Sequence, residues 1–213
     1  MTSQYRYYQP LELISWQSRR QPATQPATAD WETLRQCVAN CTACTLHESR
    51  TQTVFGIGSH DAKLMIIGEA PGFHEDQQGE PFVGRAGQLL TAMIKAMGYQ
   101  RQDVYIANIL KCWPPENRDL IAEEVATCTP FLNQQIALLK PQLLLAVGHI
   151  AAHYLLNTKK SLESLRGQIH YFGGSQTPLI VTYHPAYLLR SPADKKKAYA
   201  DLQFAQQTIA NDR

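Results

Sequence analysis

The pattern of apolar positions predicts four buried strands with helices between them. Four apolar runs stand out along the chain, at residues 63–68, 104–110, 142–148 and 179–183. The first three are continuous rather than alternating, which is typical of strands covered on both faces. Helical patterns follow the strands, at residues 87–97, 120–139, 150–156 and 192–209. This alternation predicts an α/β fold in which helices cover both faces of a parallel sheet.

The N-terminal segment differs in composition from the rest of the chain. A Gln-Pro-Ala-Thr sequence occurs twice in a row within residues 21–28, and such proline-punctuated segments are typical of linkers. Asp30 then marks the start of a helix, because aspartate is a preferred N-cap. We expect this helix to carry Leu34 and Val38.

Length and charge set broad limits on function. The 213 residues suffice for one domain with a buried core, and we assign residues 31–213 to it and residues 1–30 to a flexible N-terminal extension. The net charge is only +2, so a nucleic-acid interface must come from local clusters such as Lys195–Lys197. No apolar run reaches membrane-spanning length, and residues 1–10 lack a signal-peptide core. We expect a cytosolic protein without membrane association, nucleoid-associated in a bacterium.

The cysteines form two clusters. Two residues separate Cys41 from Cys44, 67 separate Cys44 from Cys112, and 15 separate Cys112 from Cys128. In the cytosol such clusters hold metal more often than disulfides, so we predict one metal centre with four thiolate ligands. The spacing does not choose between zinc and an iron–sulfur cluster, and unrelated buried thiols are the alternative. Cys37 permits a rival ligand set, but we favour it as a buried helix residue.

Polar residues follow three of the predicted strands. Glu69 follows the first strand, Lys111 and Cys112 follow the second, and His184 follows the fourth. In a parallel sheet the carboxyl ends of the strands meet at one edge, where ligands bind. The sequence therefore predicts a functional site there.

Five motifs carry a family resemblance. They are Gly68-Glu69-Ala70-Pro71-Gly72, Pro-Phe-Val-Gly-Arg-Ala-Gly-Gln-Leu-Leu at residues 81–90, Asn108 ahead of Lys111-Cys112, Pro-Pro-Glu-Asn-Arg at residues 114–118, and His-Pro-Ala-Tyr-Leu-Leu-Arg at residues 184–190. In this order they resemble the iron–sulfur, family 4 type of uracil-DNA glycosylase, over residues 34–205. The resemblance implies a three-layer α/β/α sandwich on a four-stranded parallel sheet, with a cysteine-ligated cluster beside it. The implied cofactor is a 4Fe–4S cluster held by Cys41, Cys44, Cys112 and Cys128.

The activity that the resemblance implies is hydrolysis of the N-glycosidic bond of uracil in DNA, which leaves an abasic site and starts base excision repair. Such an enzyme extrudes the nucleotide and holds the base in a pocket. Phe82 offers a ring for stacking, with a core phenylalanine as the alternative. Asn108 offers an amide for the O4 and N3–H edge of uracil, with a structural hydrogen bond within the strand as the alternative.

The chemistry requires a carboxylate near the sugar and a donor near O2 of the departing base, because the sugar gains positive charge and the base leaves with negative charge. Glu69 is the candidate carboxylate and His184 the candidate donor. We expect the other histidines to be surface or packing residues: His47, His60, His74, His149, His153 and His170. Three further positions match the base pocket of the family: Ala70, Glu75 and Asn117. By this match Glu75 helps to exclude the methyl group of thymine, with a solvated loop charge as the alternative. For Asn117 the alternative is a simple turn residue.

The segment from Pro185 to Arg190 resembles the loop that family members insert into DNA. It predicts Leu188 or Leu189 as the wedge that fills the space left by the base. Phosphate contacts are predicted for Arg190, Arg85 and the lysines at 195–197, with a solvated helix face as the alternative for the lysines. The implied partner is uracil-containing DNA, single- or double-stranded, bound by a monomer.

Two features depart from the family pattern. Trp113 stands where the family has arginine, which removes a charge beside the cluster. Residues 1–30 have no counterpart in the family core and are candidates for a tether to a repair or replication partner. A redox or nucleic-acid-binding module without hydrolysis is the alternative function, as is a relative that acts on other deaminated bases or captures them covalently.

Overall fold

The computed structural model describes residues 30–173 and 176–211. The strands are β1 (Ile57–Gly58), β2 (Leu64–Gly68), β3 (Tyr105–Asn108), β4 (Leu143–Val147), β5 (His170–Phe172) and β6 (Thr177–Thr182). The α-helices are α1 (Trp31–Ala39), α2 (Leu46–Ser49), α3 (Phe73–Gln78), α4 (Arg85–Ala96), α5 (Ala122–Leu139), α6 (His149–Leu155), α7 (Leu162–Leu165), α8 (Pro185–Arg190) and α9 (Lys195–Asn211). Short 3-10 turns occupy Arg101–Asp103, Pro115–Asn117 and Pro192–Asp194.

The sheet has the strand order β1-β3-β2-β4-β6-β5. Its four inner strands are parallel, and they are the four strands predicted from the apolar runs. The prediction of a purely parallel, four-stranded sheet is nevertheless wrong, because β1 and β5 add an antiparallel strand at each edge. Both edge strands are short and only partly covered, so neither has the continuous apolar run by which a buried strand is recognised.

Helices cover both faces of the sheet, as predicted. Alternate residues of β2 point to opposite sides: Met65 and Ile67 pack in the core beneath α1, α5 and α6, whereas Leu64 and Ile66 pack beneath α4, α8 and α9. Two apolar cores therefore hold the inner strands rigidly, and the loops at their carboxyl ends are fixed from both sides.

The first described helix starts where the sequence predicted. The main-chain N–H of Thr33 donates to Oδ1 of Asp30 (2.8 Å), which caps α1, and Leu34 and Val38 are its buried residues. The predicted flexible extension, apart from Asp30, lies outside the described residues. Within the part of the chain that is described, no helix is long and apolar enough to cross a bilayer.

Candidate active site and cysteine centre

A cavity of about 390 Å³ opens at the carboxyl ends of β2, β3 and β6. The structure places at this cavity every residue that the sequence suggested for catalysis or base binding: Glu69, Ala70, Glu75, Phe82, Asn108, Asn117 and His184. Arg190 also lines the cavity, whereas Arg85, Leu188 and Leu189 do not. Strand ends that are far apart in sequence thus bring carboxylate, imidazole, amide and aromatic groups together.

The inner end of the cavity is built around Gly68. A Cβ atom at this position would lie 2.4 Å from Oδ1 of Asn108 and 2.7 Å from Cζ of Phe82, so only glycine lets both side chains approach the strand. Oδ1 of Asn108 is buried and, among the described residues, has no hydrogen-bond partner. The same-strand hydrogen bond considered above is therefore absent for this atom, which is an acceptor left for a ligand.

Phe82 is held in an unusual backbone conformation. Its φ angle is 55°, in the left-handed region. The main-chain oxygen of Phe82 approaches α4 at Gly87, where a Cβ atom would lie only 1.7 Å from that oxygen, so this approach requires glycine. Arg101 donates to the preceding carbonyl of Pro81 (2.5 Å). The Phe82 ring lies 5.7 Å from the His184 ring, at an interplanar angle of 35°. Phe82 thus forms an apolar wall, with polar groups beside it.

Glu75 joins two loops of the cavity. One carboxylate oxygen accepts from the main-chain N–H of Gly72 (3.1 Å), and the other accepts from the N–H groups of Val83 (2.9 Å) and Gly84 (3.1 Å). This carboxylate is not a solvated loop charge, because three amide donors hold it. The capping position of a glutamate three residues after Gly72, at the start of α3, is the sequence signal that identifies this contact.

His184 is the N-cap of α8. The main-chain N–H of Ala186 donates to its Nδ1 (3.1 Å), so the ring proton of the neutral imidazole is on Nε2. Burial lowers the pKa of His184 to about 4, and the charges of Arg190 and His149 contribute. At neutral pH this residue is an uncharged hydrogen-bond donor.

Glu69 follows β2 directly and is half-buried. Burial raises the pKa of its carboxyl group above the ordinary 4.5, and the negative charge of Asp119 raises it further. A carboxylate with a raised pKa is a stronger base than an ordinary one once it is deprotonated. Glu69 is suited to orient and activate a water molecule.

Asn117 lies in a strained turn held by Trp113. Both Glu116 and Asn117 have positive φ angles, 59° and 53°. The indole Nε1–H of Trp113 donates to Oδ1 of Asn117 (3.0 Å), a contact that the sequence did not predict. Asn117 is therefore a turn residue and a cavity residue at once.

A second cavity of about 760 Å³ adjoins the first and shares with it Glu69, Asn117, His184, Ala186 and Arg190. Its other wall carries His149, His153, Lys159 and Lys160. His149 is exposed and His153 is partly exposed, in agreement with the expectation of surface residues, and both line this cavity. The rule that ligands bind at the carboxyl ends of parallel strands (the strand-end rule), if applied to β4, identifies His149 as well.

The predicted DNA contacts are only partly accessible. Leu188 is 1 % exposed and packs in the core, so its prediction as a wedge is corrected; Leu189, 37 % exposed, is the accessible neighbour. A sequence resemblance gives the motif but does not tell which leucine of a short helix faces the sheet. Arg85 is exposed at the start of α4. Lys197 pairs with Asp194 (2.9 Å) and Glu163 (3.6 Å), whereas Lys195 and Lys196 are exposed.

The cysteines predicted as ligands come from three parts of the fold. Cys41 and Cys44 follow α1, Cys112 follows β3 and Cys128 lies in α5. Burial raises the pKa of Cys128 to about 12, and the neighbouring thiols of Cys112 and Cys44 add to this effect. Burial likewise raises the pKa of Cys112, with a contribution from Cys44 and Cys41. Cys44 and Cys112 are thus each close enough to the other three predicted ligands for an electrostatic interaction.

Two hydrogen-bond donors face these sulfurs. Arg50 donates to Sγ of Cys112 (3.2 Å), and the main-chain N–H of Lys111 donates to Sγ of Cys128 (3.2 Å). Cys37 is half-buried in α1 and packs against the core, and it does not contribute to the pKa of Cys44, Cys112 or Cys128. In residues 30–173 and 176–211, no three His, Cys, Asp or Glu side chains form a group that could hold a single metal ion.

Comparison with known proteins places this arrangement in context. A sequence model described as the uracil DNA glycosylase superfamily matches residues 55–203. A protein of Thermotoga maritima is 43 % identical over 185 residues, which cover 85 % of this chain and 95 % of that protein. Relatives from Pyrobaculum aerophilum (42 % over 179 residues, 81 % and 91 % coverage) and Archaeoglobus fulgidus (37 % over 172 residues, 78 % and 86 %) are equally extensive matches. All three relatives are named type-4 uracil-DNA glycosylase.

Proposed function

The chain belongs to the uracil-DNA glycosylase superfamily, and we propose that it hydrolyses the N-glycosidic bond of uracil in DNA, leaving an abasic site and starting base excision repair. Relatives that are 37–43 % identical over most of their length carry the name of this enzyme. The cavity supplies the chemical groups that the reaction needs.

The unpartnered oxygen of Asn108 is the observation that carries this proposal. Leaving a buried acceptor unpaired costs about 1–3 kcal/mol, so such an atom points to a ligand that completes it. Uracil has a donor at N3 and an acceptor at O4, which the carbonyl and the NH2 of one amide match. Cytosine has the opposite pattern of donor and acceptor on this edge. Stacking on Phe82 would hold either base, so Asn108 supplies the discrimination.

His184 and Glu69 divide the chemical step between them. Nε2–H of His184 donates to O2 of the departing base and stabilises its negative charge. The neutral imidazole that the lowered pKa implies carries its proton on Nε2 and can donate this hydrogen bond. Glu69 orients a water molecule for attack on the sugar and offsets the positive charge that develops there. Glu75 keeps the loops of Gly72 and Phe82 in position for both groups.

The cysteine centre fits a 4Fe–4S cluster held by Cys41, Cys44, Cys112 and Cys128. Four thiolates suit such a cluster, and donors such as the N–H of Lys111 are typical of cluster sulfurs. Zinc also accepts four thiolates, so iron and zinc analysis of the purified protein distinguishes the two centres. When bound, the cluster would cross-link the turn after α1, the segment after β3 and helix α5, and the reaction itself needs only the protein groups above.

Lys159, Lys160 and Arg190 border the second cavity and provide a path for the phosphates of the DNA strand. Leu189 is the exposed candidate for the wedge. We further propose that the protein acts as a cytosolic monomer, with residues 1–30 as a tether for a repair or replication partner.

The proposal is tested with the purified protein and oligonucleotides that contain one uracil, one thymine or one cytosine at the same position. Abasic sites are converted to strand breaks by alkali after the reaction. The expected result is multiple-turnover cleavage at uracil alone. Binding without cleavage, by protein that contains its full complement of iron, would contradict the enzymatic function and favour a binding or redox role.

A further inference from the structure

Two aromatic side chains lie in contact beside the opening of the active-site cavity. Phe73 directly follows Gly72, and Trp113 directly precedes Pro114; Gly72 and Pro114 both line the cavity. The ring centroids of Phe73 and Trp113 are 5.5 Å apart, with an interplanar angle of 75°. This edge-to-face arrangement is a favourable one for aromatic pairs. We call Phe73 and Trp113 the aromatic shelf.

The aromatic shelf is not part of the apolar cores. Neither ring belongs to the two cores formed by the described residues, and the Phe73 side chain is 51 % exposed. Both rings are nevertheless held in place. Trp113 is fixed by its hydrogen bond to Asn117, and the Phe73 ring packs edge-to-face against the rings of Trp113 and His74. An exposed apolar surface that is already ordered is typical of a binding site.

We propose that the aromatic shelf stacks an unpaired base that neighbours the extruded uracil, so that the protein favours uracil in single-stranded DNA. The proposal rests on the proposed function, because the uracil in the cavity determines where its neighbours lie. A nucleotide next to a base held against Phe82 and Asn108 must leave the cavity across its rim. On the side of Gly72 and Pro114 the rim is bordered by the rings of Phe73 and Trp113, which accept any base because every base has a flat π-face.

The shelf contact differs in kind from a phosphate contact. Phe73 and Trp113 carry no charge, and Trp113 stands where the family pattern has arginine. Stacking on them should therefore add affinity that does not change with salt concentration, whereas lysine and arginine contacts weaken as salt rises. In a duplex the neighbouring base is paired and unavailable, so the gain is confined to single strands.

The test combines changes in the protein with changes in the DNA. The ligand is a single-stranded oligonucleotide with a 2′-fluorinated deoxyuridine, which resists cleavage, flanked either by natural bases or by abasic residues. The wild-type protein is compared with Phe73→Leu, Trp113→Leu and Trp113→Phe. Tyr171→Leu is the matched control, because Tyr171 is 57 % exposed on edge strand β5 and lines neither of the two cavities. Dissociation constants are measured by fluorescence anisotropy at two salt concentrations.

Removal of the flanking bases should weaken binding by the wild-type protein and by Tyr171→Leu about 5- to 140-fold, the range expected for one stacked base. For Phe73→Leu and for Trp113→Leu, the dissociation constants of the two oligonucleotides should lie within about twofold of each other. Trp113→Phe should retain part of the difference between the oligonucleotides because it keeps a ring. The slope of affinity against salt should be the same for all variants. Equal sensitivity to the flanking bases in the wild type and in both leucine variants would contradict the proposal that the shelf stacks a neighbouring base.

This binding experiment and the cleavage assay described under the proposed function together separate the shelf from that function. If the wild-type protein cleaves uracil but its leucine variants remain fully sensitive to the flanking bases, the shelf is wrong and the function stands. If the wild-type protein fails to cleave uracil yet shows a base dependence that the leucine variants lose, the shelf stands as a site for unpaired bases and the glycosylase function is wrong.

Discussion

The side-chain ammonium of Lys111 donates a hydrogen bond to the main-chain oxygen of Asn108 (2.8 Å). Its second acceptor is Oε1 of Gln135 in α5 (2.7 Å), and Lys111 is fully buried. Nε2 of Gln135 donates in turn to the carbonyl of Phe55 and to the hydroxyl of Tyr105. A buried polar network thus links the segment that carries Cys112 to the residue proposed to recognise uracil.

Replacing Lys111 by Met should destabilise the fold by about 3 kcal/mol, because it leaves the acceptors on Asn108 and Gln135 unpaired in the interior. Urea denaturation of the purified protein, as isolated, measures the change. Lys195→Met, at an exposed position on α9, should shift the free energy of unfolding by no more than about 0.5 kcal/mol. Similar stabilities for the two variants would show that the network contributes nothing.

The cysteine assignment predicts opposite results for Cys112 and Cys37. Cys112→Ala should lose iron and most of the soluble, folded protein, because the proposed cluster would connect three segments of the chain. Cys37→Ala should keep its full iron and sulfide content, since Cys37 packs against the core. Metal analysis and visible absorption of both purified variants measure this. Iron loss in Cys37→Ala together with retention in Cys112→Ala would establish the rival ligand set.

The pKa shifts predict which group controls activity at low pH. Glu69 must be deprotonated to act on water, and its raised pKa moves the acidic fall in kcat/KM to a pH above 4.5. His184 stays neutral down to about pH 4, so its protonation does not contribute to activity loss near pH 6. His184→Asn should therefore have lower kcat/KM at every pH but the same acidic midpoint as the wild type. A midpoint near 6.5 that disappears in His184→Asn would assign the titration to the histidine instead.

The second cavity predicts a salt-dependent contribution from Lys160. If this ammonium neutralises one phosphate, Lys160→Ala should reduce the slope of log affinity against log salt by about 0.7 for single strands. Lys197→Ala is the comparison, because Lys197 pairs with Asp194 and Glu163 and has less charge to offer. The measurement is a titration of labelled uracil-containing DNA at several salt concentrations. An unchanged slope in Lys160→Ala would contradict the proposal that the phosphates of the DNA strand lie along the second cavity.

The sequence predicted the inner sheet well because its strands are buried on both faces. Continuous apolar runs such as 142–148 have a single interpretation once helices flank them. The edge strands were missed because β1 and β5 are held by main-chain pairing to a neighbour, which leaves little trace in side-chain composition. The predicted end of β3 also differs from the observed one, because main-chain pairing does not stop sharply. The N–H groups of Ile109 and Leu110 still donate to the carbonyls of Gly68 and Glu69 after β3 ends.

The site was predictable as a set of residues and not as a set of contacts. The strand-end rule brought Glu69 and His184 together, since the carboxyl ends of parallel strands meet. Contacts that depend on side-chain direction could not be predicted, and they include the burial of Leu188 and the hydrogen bond from Trp113 to Asn117. Such details depend on the three-dimensional packing of a loop or short helix, which local sequence does not determine.

The measurement that tests the account most directly is the ratio of uracil to cytosine cleavage by Asn108 variants. Asn108→Asp removes the NH2 donor and places a negative charge near O4, and Asn108→Ala removes both partners. We predict that Asn108→Ala lowers kcat/KM for uracil by at least about 100-fold, and that Asn108→Asp lowers the uracil-to-cytosine ratio by a similar factor, because two hydrogen bonds in a buried site are lost or reversed. Uracil cleavage at the wild-type rate and ratio by both folded variants would contradict the assignment of base recognition to Asn108.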